Sequence, residues 1–253
     1  MSLMEHLEEL RKRILRSLGF FAAGFAVAYG FHNTLVAIIQ KPLVDVGLRM
    51  TMTHPTDALN LILKTSAVAG AILASPFILY QVWLFISPGM YANERKYVTP
   101  FMSATVGLFL AGTWFGYRWV LPGAIKILVM DFGKNFSHMI TIDDYTGFFL
   151  AVILGLGICF ELPILIFFLS KIGVVNSRWM LKNFKYAVLI VFIIAAFITP
   201  TPDPINQTIL ALPMVALYSL GILIAFFFGK ERTERKEKRR VRKAGKAPAA
   251  AAS

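Results

Sequence analysis

Two groups of carboxylates stand where chemistry could follow. Glu5, Glu8 and Glu9 precede Arg11, Lys12, Arg13 and Arg16, and Glu94 precedes Arg95 and Lys96, so acidic side chains edge basic clusters that border apolar runs. A carboxylate accepts a guanidinium through two parallel charge-assisted hydrogen bonds, a geometry an ammonium cannot reproduce. These glutamates could form a receptor for a cationic peptide. They could equally serve locally, since Glu8 with Lys12 and Glu9 with Arg13 have the i, i+4 spacing of helix-surface pairs. Glu161 poses a different problem, because it falls inside the run Gly155–Pro163. An ionised carboxylate at the centre of an apolar span costs about 2.5 kcal/mol or more. It must be neutral and hydrogen-bonded between helices, paired, or wetted along a polar path, and Lys64 is one available partner. Other chemistries lack their residues. No P-loop, His-Glu-x-x-His, nucleophile elbow or metal spacing occurs, and the single cysteine, Cys159, lies in an apolar run. Neither an enzyme nor a bound cofactor is expected.

The elements that must position these groups are apolar helices. Hydrophobic residues make up 57% of the 253, charged residues 16%, and mean hydropathy is +0.65, more apolar surface than a soluble fold can bury. About 18 to 20 apolar residues cross the roughly 30 Å of a bilayer core as a helix. On that measure the sequence predicts an all-α integral membrane protein with six transmembrane spans: Ser17–Ile39, Leu59–Ile86, Pro100–Leu121, Gly147–Ser170, Lys185–Ile198 and Gln207–Phe228. The fifth is short, uninterrupted only from Ala187 to Ile198. Charge favours keeping it as a span in a locally thinned bilayer, because Lys and Arg collect on the cytoplasmic side. Of the 26 Lys and Arg, only Lys41, Arg49, Lys64, Arg118, Lys126 and Lys134 lie outside the N-terminal arm, the loops after spans two and four, and the tail. Both termini are therefore expected in the cytoplasm, with residues 1–228 forming the membrane domain and 229–253 a basic, disordered tail. The formal net charge of +12 is read as lipid-facing and orienting, which argues against nucleic acid as a partner. The N-terminal arm with Ala26-Val27-Ala28 imitates a cleavable leader, yet its apolar stretch is too long, so it is expected to be retained.

Several motifs carry a family resemblance. His6-Leu-Glu-Glu-Leu-Arg-Lys-Arg13, Ser75-Pro-Phe-Ile-Leu-Tyr-Gln-Val-Trp-Leu-Phe85, Pro88-Gly-Met-Tyr-Ala-Asn-Glu-Arg95, Phe160-Glu-Leu-Pro163 and Thr199-Pro-Thr-Pro-Asp203 with Gln207 resemble TatC, the receptor subunit of the twin-arginine protein translocase. The resemblance covers nearly the whole chain except the basic tail. It implies a multi-pass protein of the bacterial inner membrane, a helical bundle with a concave groove. It further implies recognition of Arg-Arg signal peptides on folded cargo and export driven by the protonmotive force. The partners implied are single-span TatA- and TatB-like subunits and other TatC copies. Glu9, Arg11, Phe85 and Glu94 match the family's signal-peptide positions, and Glu161, Asp203, Gln207 and Pro42 match groove or partner positions. The stretch Thr199–Pro204 carries one residue more than the family's usual turn, and Gly89 stands where Ala is usual.

Two readings from other classes compete. A proton-coupled secondary transporter would use Glu161 as its proton carrier, although no internal repeat of the usual paired halves is visible. An intramembrane protease would need a nucleophile with a base or a metal pair, and the sequence offers neither.

Overall fold

The computed structural model describes residues 3–86, 98–133, 139–171, 173–198 and 204–228, and is mostly helical. Helix α1 runs Leu3–Gly30, α2 His32–Val44 and α3 Asp57–Ile86. Helix α4, Val98–Phe115, continues through a π turn, Gly116–Val120, into α5, Leu121–Ile125, and a second π segment, Lys126–Phe132. After it come α6, Ile142–Cys159, α7, Leu162–Lys171, α8, Ser177–Lys182, α9, Phe184–Ile198, and α10, Pro204–Phe228. Among the described residues, α3, α6 with α7, and α10 are each long and apolar enough to cross a bilayer, and α1 with α2 passes the same test as a bent pair. Helix α9 is apolar but, at 15 residues, only about 22 Å long.

Three expected spans change their outlines. The sequence predicts one helix over Ser17–Ile39 for the first, but α1 starts upstream and the chain turns by 78° between Gly30 and His32. Hydropathy is blind to direction there. The Phe31 amide bonds to Ala28 at 3.0 Å, a tightened bond that closes α1 before α2 sets off. The third continues past Leu121, because the π turns keep the backbone helical as far as Phe132. The fourth begins earlier, at Ile142, where the Thr141 hydroxyl caps the helix by accepting the Asp144 amide at 3.1 Å.

Prolines inside helices leave carbonyls without their usual amide, and two of these carbonyls find hydroxyls. Pro76 cannot donate to Ile72, and the Ser75 hydroxyl donates to that oxygen at 2.7 Å. Pro42 cannot donate to Ile38, and the Tyr117 hydroxyl of the first π turn reaches it at 3.3 Å. Tyr145 donates to the neighbouring Ile39 carbonyl at 2.9 Å, so two tyrosines seat α2 on the bundle. Ser75→Ala is expected to lower stability by about 1 kcal/mol, the worth of one such bond, while Ser75→Thr keeps it. Unfolding midpoints in mixed detergent micelles read the difference.

Packing follows from small residues. A Cβ on Gly24 would sit 2.5 Å from the Gly70 carbonyl oxygen, and one on Gly70 would sit 2.6 Å from the Phe25 nitrogen, so α1 and α3 cross backbone to backbone. Ser66, Gly70 and Ala74 recur every four residues on the buried face of α3 opposite Gly24 and Ala28, as membrane helices need for close approach. The Gly112-x-x-x-Gly116 of α4 packs as its spacing predicts, since a Cβ at Gly112 would meet the Leu156 carbonyl at 2.7 Å. Around this crossing Leu121, Leu156, Ala195 and Ala211 are fully buried. At the bundle end formed by the 45–56 and 139–141 connections, Met50–Thr51 pairs in parallel with Ile140–Thr141.

Candidate functional site

The opposite end of the bundle joins the start of α1 to the last turns of α3. On α1, His6, Glu9, Leu10 and Arg13 stand three or four residues apart and share a face; on α3, Ile78, Gln81, Val82 and Phe85 do the same. The two faces meet. The His6 ring stacks on Phe85 with centroids 4.5 Å apart. Arg13 donates from Nη2 to Glu9 Oε1 and from Nη1 to Gln81 Oε1, each at 3.1 Å.

Burial separates the two helix-surface pairs that the sequence offered. Glu8 with Lys12, 3.0 Å apart, has both side chains 65% exposed, so it is a solvated pair worth at most about 0.5 kcal/mol. Glu9 and Arg13 are only 18% and 19% exposed. Glu9 Oε2 is buried with no hydrogen-bond partner among the described residues. A buried acceptor left open costs about 1 to 3 kcal/mol, so this carboxylate is set to gain from an arriving donor. Beside it lies an apolar recess of about 340 Å³, lined by Leu10, Ile14 and Phe21 of α1 and Ile78 and Val82 of α3, with Arg13, Gln81 and Phe85 also on its wall. Trp83 anchors this end of α3: its ring nitrogen donates to Thr105 of α4 at 3.1 Å, and its ring meets Phe168 of α7 edge-on.

Of the residues matched to signal-peptide positions, Glu9 and Phe85 therefore lie in one cluster. Arg11 does not join them: it is exposed, and its two-residue offset from Glu9 turns it to another face of α1. Glu94 lies outside the described residues. Sequence reasoning gave no role to Gln81, and it treated Arg13 only as a local partner. The available signal was an amide in an apolar run, at i, i+4 from Phe85.

A second polar feature sits at the junction of α6 and α7. Pro163 cannot donate to Cys159, and the chain closes α6 with the Glu161 amide on the Ile158 carbonyl at 3.0 Å, so Phe160 and Glu161 form a short turn between the helices. Glu161 Oε1 is buried without a hydrogen-bond partner among the described residues. The suggested partner Lys64 is engaged elsewhere: its Nζ lies 2.6 Å from Asp143 Oδ1. Asp143 is in the first turn of α6, about 27 Å of helix rise from Glu161, which puts Glu161 beyond that lysine. The Lys64–Asp143 pair is about half exposed, so Asp143→Asn should lower the unfolding free energy, read from denaturation in mixed micelles, by less than about 1 kcal/mol. Gln207 donates from Nε2 to the Phe192 carbonyl at 2.6 Å and ties α10 to α9. Pro42 is buried inside α2, and Asp203 lies outside the described residues. Among the described residues, no three His, Cys, Asp or Glu side chains gather as a metal site.

Long apolar helices, intrahelical prolines and a half-buried carboxylate at one bundle end define a multi-pass helical membrane protein with a polar site at its surface. The family described as Sec-independent protein translocase protein (TatC) matches residues 5–213. A relative of that name from Koribacter versatilis is 47% identical over 244 residues, covering 94% of this chain and 90% of its own. Another from Carboxydothermus hydrogenoformans is 37% identical over 227 residues, covering 90% and 93%. A crystal structure titled as the twin arginine translocase receptor TatC superposes with a TM-score of 0.82 at 33% identity, over 88% of this chain and 98% of that one. The chain belongs to the TatC family, and it is a subunit of a protein translocase.

Proposed function

We propose that this subunit is the receptor for Arg-Arg signal peptides at the cytoplasmic face of the bacterial inner membrane. It begins the export of folded proteins, driven by the protonmotive force, together with TatA- and TatB-like single-span subunits and further copies of itself. In this reading the chain crosses the membrane six times with both termini in the cytoplasm. The asymmetric placement of Lys and Arg supports that orientation. The carrying observation is Glu9: a half-buried carboxylate with one oxygen open, beside an apolar recess. A signal peptide brings guanidinium groups followed by an apolar segment, and these two features answer it in kind. Glu94 is assigned a second carboxylate contact and Phe85 a wall. Arg11, exposed at the same end, borders the entry. Glu161, Asp203, Gln207 and Pro42 are assigned to the groove and partner surfaces.

Fluorescent signal peptide titrated onto the protein in nanodiscs tests this. Arg-Arg peptide should bind in preference to Lys-Lys peptide, and Glu94→Ala should weaken it; equal binding of both peptides would remove the assigned role of the carboxylates. The unpartnered Glu161 oxygen keeps a proton-coupled transporter in view as a second reading. That reading requires purified protein alone to move a small solute into vesicles and Glu161→Gln to stop it, whereas the receptor reading expects no such flux.

A further inference from the structure

We propose that Arg13 is an internal stand-in for the incoming guanidinium: it holds Glu9 until a peptide arginine displaces it, Gln81 retains it afterwards, and its hold sets the strength that a peptide cation must exceed to reach Glu9. The inference rests on the receptor reading above and adds to it a side chain that sets the affinity of the site without itself touching the peptide.

The geometry of the Glu9–Arg13–Gln81 chain carries it. Arg13 engages Glu9 through Oε1 alone, at 3.1 Å, and leaves Oε2 buried and open. The resident guanidinium is thus bound to half of its acceptor. A peptide arginine approaching in the side-by-side geometry would bond both oxygens and outcompete it. A peptide lysine brings a compact ammonium without that fork, so it gains far less over the resident. Displacement also needs somewhere to put Arg13. Its Nη1 already bonds Gln81 Oε1 at 3.1 Å, and Gln81 is 5% exposed, so the released guanidinium keeps a buried acceptor. Gln81 is neutral and therefore does not compete with Glu9 for the peptide. The recess of about 340 Å³ has both side chains on its wall and gives the Arg13 stem room to move. An ordinary helix-surface pair would resemble Glu8 and Lys12, exposed and, among the described residues, bonded to no other helix.

The test uses the full chain in nanodiscs with Arg-Arg and Lys-Lys signal peptides, and reads the dissociation constant of each. Arg13→Gln removes the competitor, so Arg-Arg binding should strengthen about tenfold, one charge-assisted bond's worth, and Lys-Lys binding by no more than that. Gln81→Leu takes away the fallback acceptor and should weaken Arg-Arg binding several-fold; adding Arg13→Gln to it should undo that loss. If Arg13→Gln does not fold, Arg13→Lys replaces it, since an ammonium lacks the planar fork that holds Glu9 and Gln81 together, and Arg-Arg binding should again strengthen. An Arg13 variant that folds and leaves Arg-Arg binding unchanged, or weakens it, overturns the exchange. If Glu9→Gln, made alone with Arg13 and Gln81 intact, leaves Arg-Arg binding untouched, the receptor reading itself fails, and the exchange with it.

Discussion

Gly70→Leu is expected to separate α1 from α3 and to cost about 3 kcal/mol, the upper part of the range for overpacking a tight contact. A Cβ there would lie 2.6 Å from the Phe25 nitrogen and 2.7 Å from its Cα, and backbone atoms in the middle of a helix cannot step aside as a side-chain tip can. Gly24→Leu should behave alike, because its Cβ meets the Gly70 carbonyl. Gly107→Ala provides the contrast. Nothing lies within 4 Å of a Cβ at that position, so the change should be neutral or stabilise the protein by up to about 1 kcal/mol through helix propensity. Unfolding midpoints in mixed micelles give all three. The functional consequence is separable, because the crossing sets how α1 presents Glu9 to α3. A Gly70→Leu protein that still inserts should lose peptide binding together with stability.

Glu9→Ala should abolish most signal-peptide binding while leaving the fold in place. Removing one partner of a hydrogen-bonded, desolvated charge pair costs about 3 kcal/mol, or roughly a hundredfold in the dissociation constant. Glu9→Ala also strands Arg13, which retains Gln81, so the variant should unfold near the unaltered midpoint. Glu9→Gln should lose nearly as much binding, since a neutral amide presents one acceptor where the carboxylate presents two. Loss of binding with an unchanged midpoint assigns Glu9 to recognition. A matching fall in both would make it a structural residue.

Much of this was legible in the sequence, and the reasons for the remainder are physical. The runs that became α3 and α10 are long and apolar, and length with composition is what a bilayer selects. The 78° turn after Gly30 was not legible, because an apolar run does not record the direction of its axis. The Gly24–Gly70 crossing escaped for a related reason: each glycine is ordinary in its own helix, and only the pairing of α1 with α3 gives it meaning. Gly112 and Gly116 were legible because both sit on one helix at a spacing that marks a face. At the site, Glu9 and Arg13 could be paired from spacing alone. That Gln81 completes the chain needs a contact across 68 residues of sequence. Lys64 illustrates the opposite error. Two scarce ionisable groups in apolar runs invite pairing, yet Asp143 shares the bundle end with Lys64 and Glu161 does not.

Photocrosslinking is the most direct check on the central claim. A photoreactive residue placed singly at positions 9 and 94 of the full chain, in inner-membrane vesicles, is presented with a cargo protein bearing an Arg-Arg signal. Both sites should label that signal from the cytoplasmic side, with labelling lost when its arginines become lysines. Labelling from neither site, or equal labelling with either signal, would contradict the account.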